Sequence, residues 1–223
     1  MKTYYDKLFT QENGIKLYAD YVFKYLKDGS VLELACGSGD LLNLMSENHE
    51  VLGVDLDPEM LKQTAIKFPM LKDKIVMHDF LTFKSDKKYD NLVCIGDSLN
   101  YILSEEDLIQ FLDNAGNLSD HLILDSHHPA RLLEFQDGYY EEGSTDTFDY
   151  AYEISCEDEY LLHVINFLDG HYDVINQWVF DPNIVIKHLK SLGYDVTVLN
   201  DFTEGDIHKE GEKVRYVATR SVL

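Results

Sequence analysis

Only 19 of the 223 residues are Lys or Arg, against 41 Asp or Glu, for a formal net charge of −22. A surface so poor in cations repels phosphate backbones, so no nucleic-acid partner is expected. Cysteine is scarce: Cys36, Cys94 and Cys156 are an odd number at wide spacing. That pattern carries no disulfide framework and no zinc-ligand spacing, so no metal is expected and a reduced, cytoplasmic setting is. With four prolines and 45% hydrophobic residues, collagen-like, low-complexity and wholly disordered chains are excluded. The opening Met1-Lys2-Thr3-Tyr4-Tyr5-Asp6 lacks an apolar signal core. No run approaches the ~20 apolar residues of a membrane span, so no membrane partner is expected.

The length suits one compact domain carrying a small insert. Leu17, Tyr18, Tyr21, Val22 and Tyr25 recur at helical spacing, which predicts a helix from Ile15 to Leu26. Short apolar runs follow at Val31–Ala35, Val51–Asp55, Ile75–His78, Asn91–Ile95 and His121–Asp125, separated by helical stretches. Two helix starts are marked by Asp57-Pro58 and Asp181-Pro182, an N-cap followed by a residue that needs no hydrogen bond there. A third begins at Ser104, with Asp107 as a capping-box partner. Buried strands alternating with helices predict an α/β fold, a doubly wound, mostly parallel sheet of seven strands with both faces covered. From about Phe148 to Phe180 the period changes to two, with Phe148, Tyr150, Tyr152, Ile154 and Cys156 on alternate positions. This predicts a three-stranded antiparallel β insert, 148–180, interrupting an α/β domain of 1–147 and 181–223.

The segment Glu33-Leu34-Ala35-Cys36-Gly37-Ser38-Gly39-Asp40 lies between the first strand and its helix. Its glycines let a backbone approach a ligand, and the helix start behind them offers free N–H groups. A dinucleotide fingerprint would need a third glycine, but position 42 is Leu42 and the Ala35 register ends on Asp40. Asp55 ends the second strand, where a carboxylate can accept both hydroxyls of a ribose. Asp79 and Phe80 follow the third strand, where an acid and a ring can hold an adenine edge and face. All lie at the carboxyl ends of parallel strands, where open α/β sheets bind ligands.

Leu32-Glu33-Leu34-Ala35-Cys36-Gly37-Ser38-Gly39 resembles motif I of class I S-adenosylmethionine-dependent methyltransferases. Gly53-Val54-Asp55-Leu56-Asp57-Pro58-Glu59-Met60-Leu61 resembles the motif that follows it, and His78-Asp79-Phe80 and Asp90 through Tyr101 resemble the third and fourth. The resemblance covers about residues 30 to 130; a subgroup of small bacterial enzymes with a β insert and uncharacterised acceptor is the nearest in kind. Ala35 departs from the pattern where the family usually has glycine, an alanine expected to narrow the loop slightly. The resemblance implies S-adenosylmethionine as cofactor and a Rossmann-like methyltransferase fold. It assigns Glu33 to orienting the loop, and Ala35, Gly37 and Gly39 to the methionyl part and ribose. It assigns Asp55 to the ribose diol, Leu56 and Phe80 to the adenine faces, and Asp79 to the adenine amino group. Asp97, Ser98 and Asn100, with Tyr101, would stand beside the sulfonium. Apart from the resemblance, Tyr4 and Tyr5 are candidates for an N-terminal lid over the cofactor or for aromatic packing against a helix.

Methyl transfer from a sulfonium needs alignment and dryness more than an acid–base triad, and none is visible. The fourth motif, Ile95-Gly96-Asp97-Ser98, is not the Asn-Pro-Pro-Tyr type, and no Pro-Cys nucleophile is present. A small-molecule acceptor is therefore expected, handled by a monomer or homodimer. His127 and His128, after the fifth strand, are candidate general bases, with Tyr101 as a further catalytic candidate. Tyr150, Tyr152 and Trp178 are candidates for an aromatic acceptor wall. A nicotinamide-dependent oxidoreductase and a non-catalytic binding module are the alternative functions.

Overall fold

The computed structural model describes residues 12–145, 148–167, 170–201, 203–204 and 211–220; Tyr4 and Tyr5 lie outside them. Strands β1 (Ser30–Leu34), β2 (Glu50–Asp55), β3 (Ile75–Met77), β4 (Asn91–Cys94) and β5 (His121–His127) alternate with helices α1 (Glu12–Tyr25), α2 (Asp40–Ser46), α3 (Pro58–Lys67) and α4 (Glu105–Leu118). Helix starts follow the local chemistry. Asp57 accepts the Glu59 N–H at 2.9 Å with Pro58 at the first position. Ser104 Oγ accepts the Asp107 N–H at 3.2 Å and donates to its carboxylate at 2.7 Å. After α5 (Ala130–Glu134), α6 (Pro182–Ser191), capped by Asp181, leads to β10 (Asp195–Asn200), β11 (Thr203–Glu204) and β12 (Lys213–Thr219).

The main sheet runs β11-β10-β12-β5-β4-β1-β2-β3, the seven expected strands plus the two-residue edge strand β11. Strands β1 to β5 pair in parallel, while β12 is antiparallel to both β5 and β10. β5 is two residues longer than its apolar run because Ser126 and His127 continue the ladder against Val214 and Lys213. Alternate residues of β1 enter opposite cores. Leu32 and Leu34 join Leu92, Phe111 and Phe180 on one face, and Val31 joins Val93, Ile123, Leu42 and Val22 on the other.

The second sheet corrects the sequence reading. It has four strands, not three, in the order β6 (Tyr139–Ser144), β7 (Asp149–Glu157), β8 (Tyr160–Phe167) and β9 (Tyr172–Trp178). It therefore begins at 139, not 148. β6 was illegible because Glu141, Glu142 and Gly143 break the alternation. The glycine is required: Gly143 pairs across from Tyr150, whose ring oxygen would stand 2.5 Å from any added Cβ. Glu141 on β6 accepts the Tyr150 hydroxyl from β7 at 3.1 Å.

Candidate active site

The chain order of the sheet reverses at β1, which lies between β4 and β2, and crevices for ligands open at such points. The loop leaving β1 there is held in a run of left-handed conformations, with φ of 58° at Ala35, 53° at Gly37 and 77° at Gly39. For Ala35, which carries a side chain, that conformation costs backbone strain of about 1–3 kcal/mol. A Cβ on Gly37 would meet nothing within 4 Å, because that face is open space. A Cβ on Gly39 would stand 2.4 Å from the Thr64 methyl. Thr64, fully buried on α3, also donates its hydroxyl to the Gly37 carbonyl at 3.1 Å. Asp55 anchors the same loop: one carboxylate oxygen accepts the Gly37 N–H and the other the Asp57 N–H, both at 2.8 Å.

These elements face a cavity of about 780 Å³. Glu33, Ala35, Gly37, Gly39 and Asp55 line it at the β1 and β2 ends. Leu56, 64% exposed, and Phe80, edge-on to Phe111 at 5.6 Å between centroids, add apolar walls. Ser98 and Tyr101 line it from a 3₁₀ turn, Ser98–Tyr101, after β4. Glu33 is 5% exposed, and its Oε2 has no hydrogen-bond partner among the described residues. Burial, then the charges of Asp55 and Asp40, push its carboxyl well above the usual carboxylate range. Cys36 also lines the cavity, but burial raises its thiol well above the ordinary value, so it is no thiolate nucleophile.

Other expected site residues stand outside the lining. Asp79 precedes Phe80, but its carboxylate accepts the Leu81 N–H at 2.9 Å and closes the turn. Asn100, fully buried, is a structural tie where the resemblance implied a cofactor contact. Its Nδ2 donates to the Trp178 carbonyl at 2.7 Å and its Oδ1 accepts the His127 N–H at 2.8 Å. Asp97 pairs with Lys213 and lies 3.5 Å from His127 Nδ1. Lys213 and then His127 hold the Asp97 carboxyl below its usual range, against burial. His127 Nε2 is 2.8 Å from Gln177 Oε1 on β9, and His128 Nδ1 accepts the Ala130 N–H at 3.0 Å. The two histidines thus brace β5 against the second sheet and the start of α5. Tyr152 is 2.6 Å from His163 Nδ1, and Trp178 Nε1 donates to Glu159 at 3.2 Å; neither these rings nor Tyr150 line the cavity.

The wall on the second-sheet side is instead Asp173–Asn176 of β9, with Ile15 and Tyr18 of α1 opposite the loop. The sequence signalled the strand and the helix but not their positions. That β9 is an edge strand follows only from strand order, which the alternating pattern does not encode.

Residues 31–119, spanning the glycine loop through α4, match the family model described as "Methyltransferase domain". The YqeM protein of Bacillus subtilis (strain 168), which carries a methyltransferase name, is 26% identical over 211 residues, 86% of this chain and 85% of the relative. A solved S-adenosylmethionine-dependent methyltransferase from Clostridium acetobutylicum ATCC 824 superposes with a TM-score of 0.85 at 22% identity, covering 99% of this chain and 97% of that one. The S-adenosylmethionine-bound amino pentose methyltransferase CalS10 of Micromonospora echinaspora gives 0.73 at 15% identity, covering 99% and 96%. The left-handed glycine loop and its tethering aspartate thus lie within a methyltransferase domain, carried on the fold of S-adenosylmethionine-dependent methyltransferases.

Proposed function

We propose that the chain transfers a methyl group from S-adenosylmethionine to a small-molecule acceptor by direct displacement. The observation that carries this reading is the ~780 Å³ cavity between the glycine loop and β9, within the usual size range of ligand sites and bounded on its far side by the second sheet. Bound there, S-adenosylmethionine supplies a methyl group activated on a sulfonium. The backbone of Ala35, Gly37 and Gly39 holds its methionyl part and ribose. Asp55 takes the ribose diol with the lone pairs left after its two backbone contacts. Leu56 and Phe80 flank the adenine, and the orphaned Glu33 Oε2 receives an N–H donor of the methionyl end. Tyr101 and Ser98 stand on the acceptor side.

The protein then has to align acceptor and donor and keep water out. β9 covers the acceptor end, so the second sheet caps the cleft. His127 and His128, engaged with Asp97, Gln177 and Ala130, act through the wall they brace rather than as bases. The excess of acid over base, and a fold neighbour named for an amino pentose, support a small acceptor over nucleic acid. Calorimetric titration with S-adenosylmethionine and with NADH tests the donor, and S-adenosylhomocysteine release from small-molecule pools tests the transfer. Binding of NADH without S-adenosylmethionine would overturn the assignment.

Asp55→Ala is expected to weaken S-adenosylmethionine binding by about 1.5–3 kcal/mol, the range for hydrogen bonds to a charged group. Because Asp55 also tethers Gly37 and Asp57, the melting temperature should fall by a few degrees as well. Titration and thermal unfolding of one sample read both effects, and unchanged affinity in a folded variant removes Asp55 from the cofactor site.

A further inference from the structure

We infer that the acceptor is an amine, recognised as a cation by Asp173 on the free edge of β9; the inference rests on the methyltransferase reading above and names its substrate class. Five carboxylates line the cavity and no Lys, Arg or His does so among the described residues. Three of the five are already engaged at the cofactor end. Asp55 holds Gly37 and Asp57, Asp57 caps α3, and Asp40 pairs with Lys67 at 2.6 Å and accepts the Ser38 hydroxyl. Two retain unmet capacity. Glu33 Oε2, buried without a partner among the described residues, lies at the end assigned to the donor. The Asp173 carboxylate, at the β9 wall, makes no hydrogen bond or ion pair among the described residues.

An anionic acceptor would meet the uncompensated Asp173 carboxylate at the β9 wall, within the field of a chain of net charge −22. A cationic acceptor meets attraction on the same terms. The surroundings of Asp173 suit an ammonium on a small organic frame. Val174, 54% exposed, and Ile175 give apolar contact beside it, Asn176 offers a polar group, and Tyr101 presents an aromatic ring, a surface that also favours cations. Among the described residues β9 is the last strand of its sheet and pairs only with β8, so the segment Asp173–Asn176 can front the cavity along its other side.

In the reaction the ammonium gives one proton to water. The freed nitrogen lone pair forms the bond to the methyl carbon as the carbon–sulfur bond breaks, and the electron pair stays on sulfur. The nitrogen of the product then carries the positive charge.

The test uses the full chain with matched probes that differ at one group: glucosamine and glucose, tyramine and 4-hydroxyphenethyl alcohol, putrescine and butanediol, with phenylacetate as the anion. Binding without cofactor is followed by saturation-transfer NMR, and turnover by S-adenosylhomocysteine release from these probes and from wider amine, alcohol and carboxylate pools. At least one amine is expected to bind and to turn over, ahead of its alcohol, with an affinity that falls as salt rises. Asp173→Asn should then weaken amine binding and raise its KM at least tenfold, with affinity for S-adenosylmethionine within twofold of the parent. Turnover confined to alcohols or carboxylates, absence of amine binding, or an amine affinity untouched by Asp173→Asn overturns the inference while leaving the methyltransferase reading in place. Failure to bind S-adenosylmethionine in the parent protein is the separate result that removes both.

Discussion

Gly37→Val is expected to abolish S-adenosylmethionine binding while the protein still folds. The glycine sits at φ 53°, and its missing side chain faces open cavity rather than protein. A branched side chain there projects into the space assigned to the cofactor. Valine is also stiff at χ1 and ill suited to a left-handed backbone, so the loop pays about 1–3 kcal/mol in strain or moves. For a chain of this size that is a fall of roughly 2–12 °C in melting temperature, and the sheet beneath is untouched. Gly39→Val separates the two kinds of damage. Its Cβ would drive into Thr64 at 2.4 Å, so there stability should suffer along with binding. Titration calorimetry and thermal unfolding on both variants check this. A Gly37→Val protein that binds normally would show that the loop is only a turn.

The contrast between these two glycines marks the limit of what the sequence discloses. The Gly37-Ser38-Gly39 run, the helix cap at Asp57 and the apolar strands are local patterns, set by backbone sterics and capping chemistry within a few residues. They were legible, and with them the cavity wall at the β1 and β2 ends: Glu33, Asp55, Leu56 and Phe80 all line it. The wall on the second-sheet side is built from segments remote in sequence. Asp173 reaches the cavity only because β9 ends its sheet, and Tyr18 only because α1 turns that face toward the loop. Asn100 shows the reverse failure. Its place in the fourth motif suggested a ligand, but its amide spans Trp178 and His127, partners 78 and 27 residues away. β6 escaped for a third reason, because its pairing with β7 rests on a glycine beneath a tyrosine rather than on alternation.

Lys213→Met is expected to lower stability by about 3–5 kcal/mol at pH 8, the usual cost of leaving buried charge uncompensated. The ammonium lies on β12, paired with Asp97, with Asp125 close behind it. Asp125 is fully buried; it accepts the Asp97 N–H at 3.0 Å through one oxygen and has no partner for the other among the described residues. Burial raises the Asp125 carboxyl, and Lys213 opposes that rise. The same ammonium sits 5.6 Å from the Tyr18 ring centroid, so the cavity wall of α1 shares the loss. At 2–4 °C per kcal/mol the melting temperature should drop by roughly 6–20 °C. The pH dependence fixes the cause. In the parent protein the Asp97 carboxyl is held below its unfolded value, so its stabilisation is present above pH ~4 and fades as pH falls. Without Lys213, Asp97 and Asp125 face each other as like charges in a buried site, and one of them is driven above its unfolded value. That variant loses stability as pH rises, and its deficit against the parent should therefore be largest at pH 8 and shrink toward pH 5. Asp97→Asn added to Lys213→Met should recover part of the loss at pH 8, since it removes one of the two stranded charges. Melting curves of the three proteins at pH 8 and 5 decide it: a deficit under ~2 °C at pH 8, or one that widens in acid, means that this ion pair does not hold the wall.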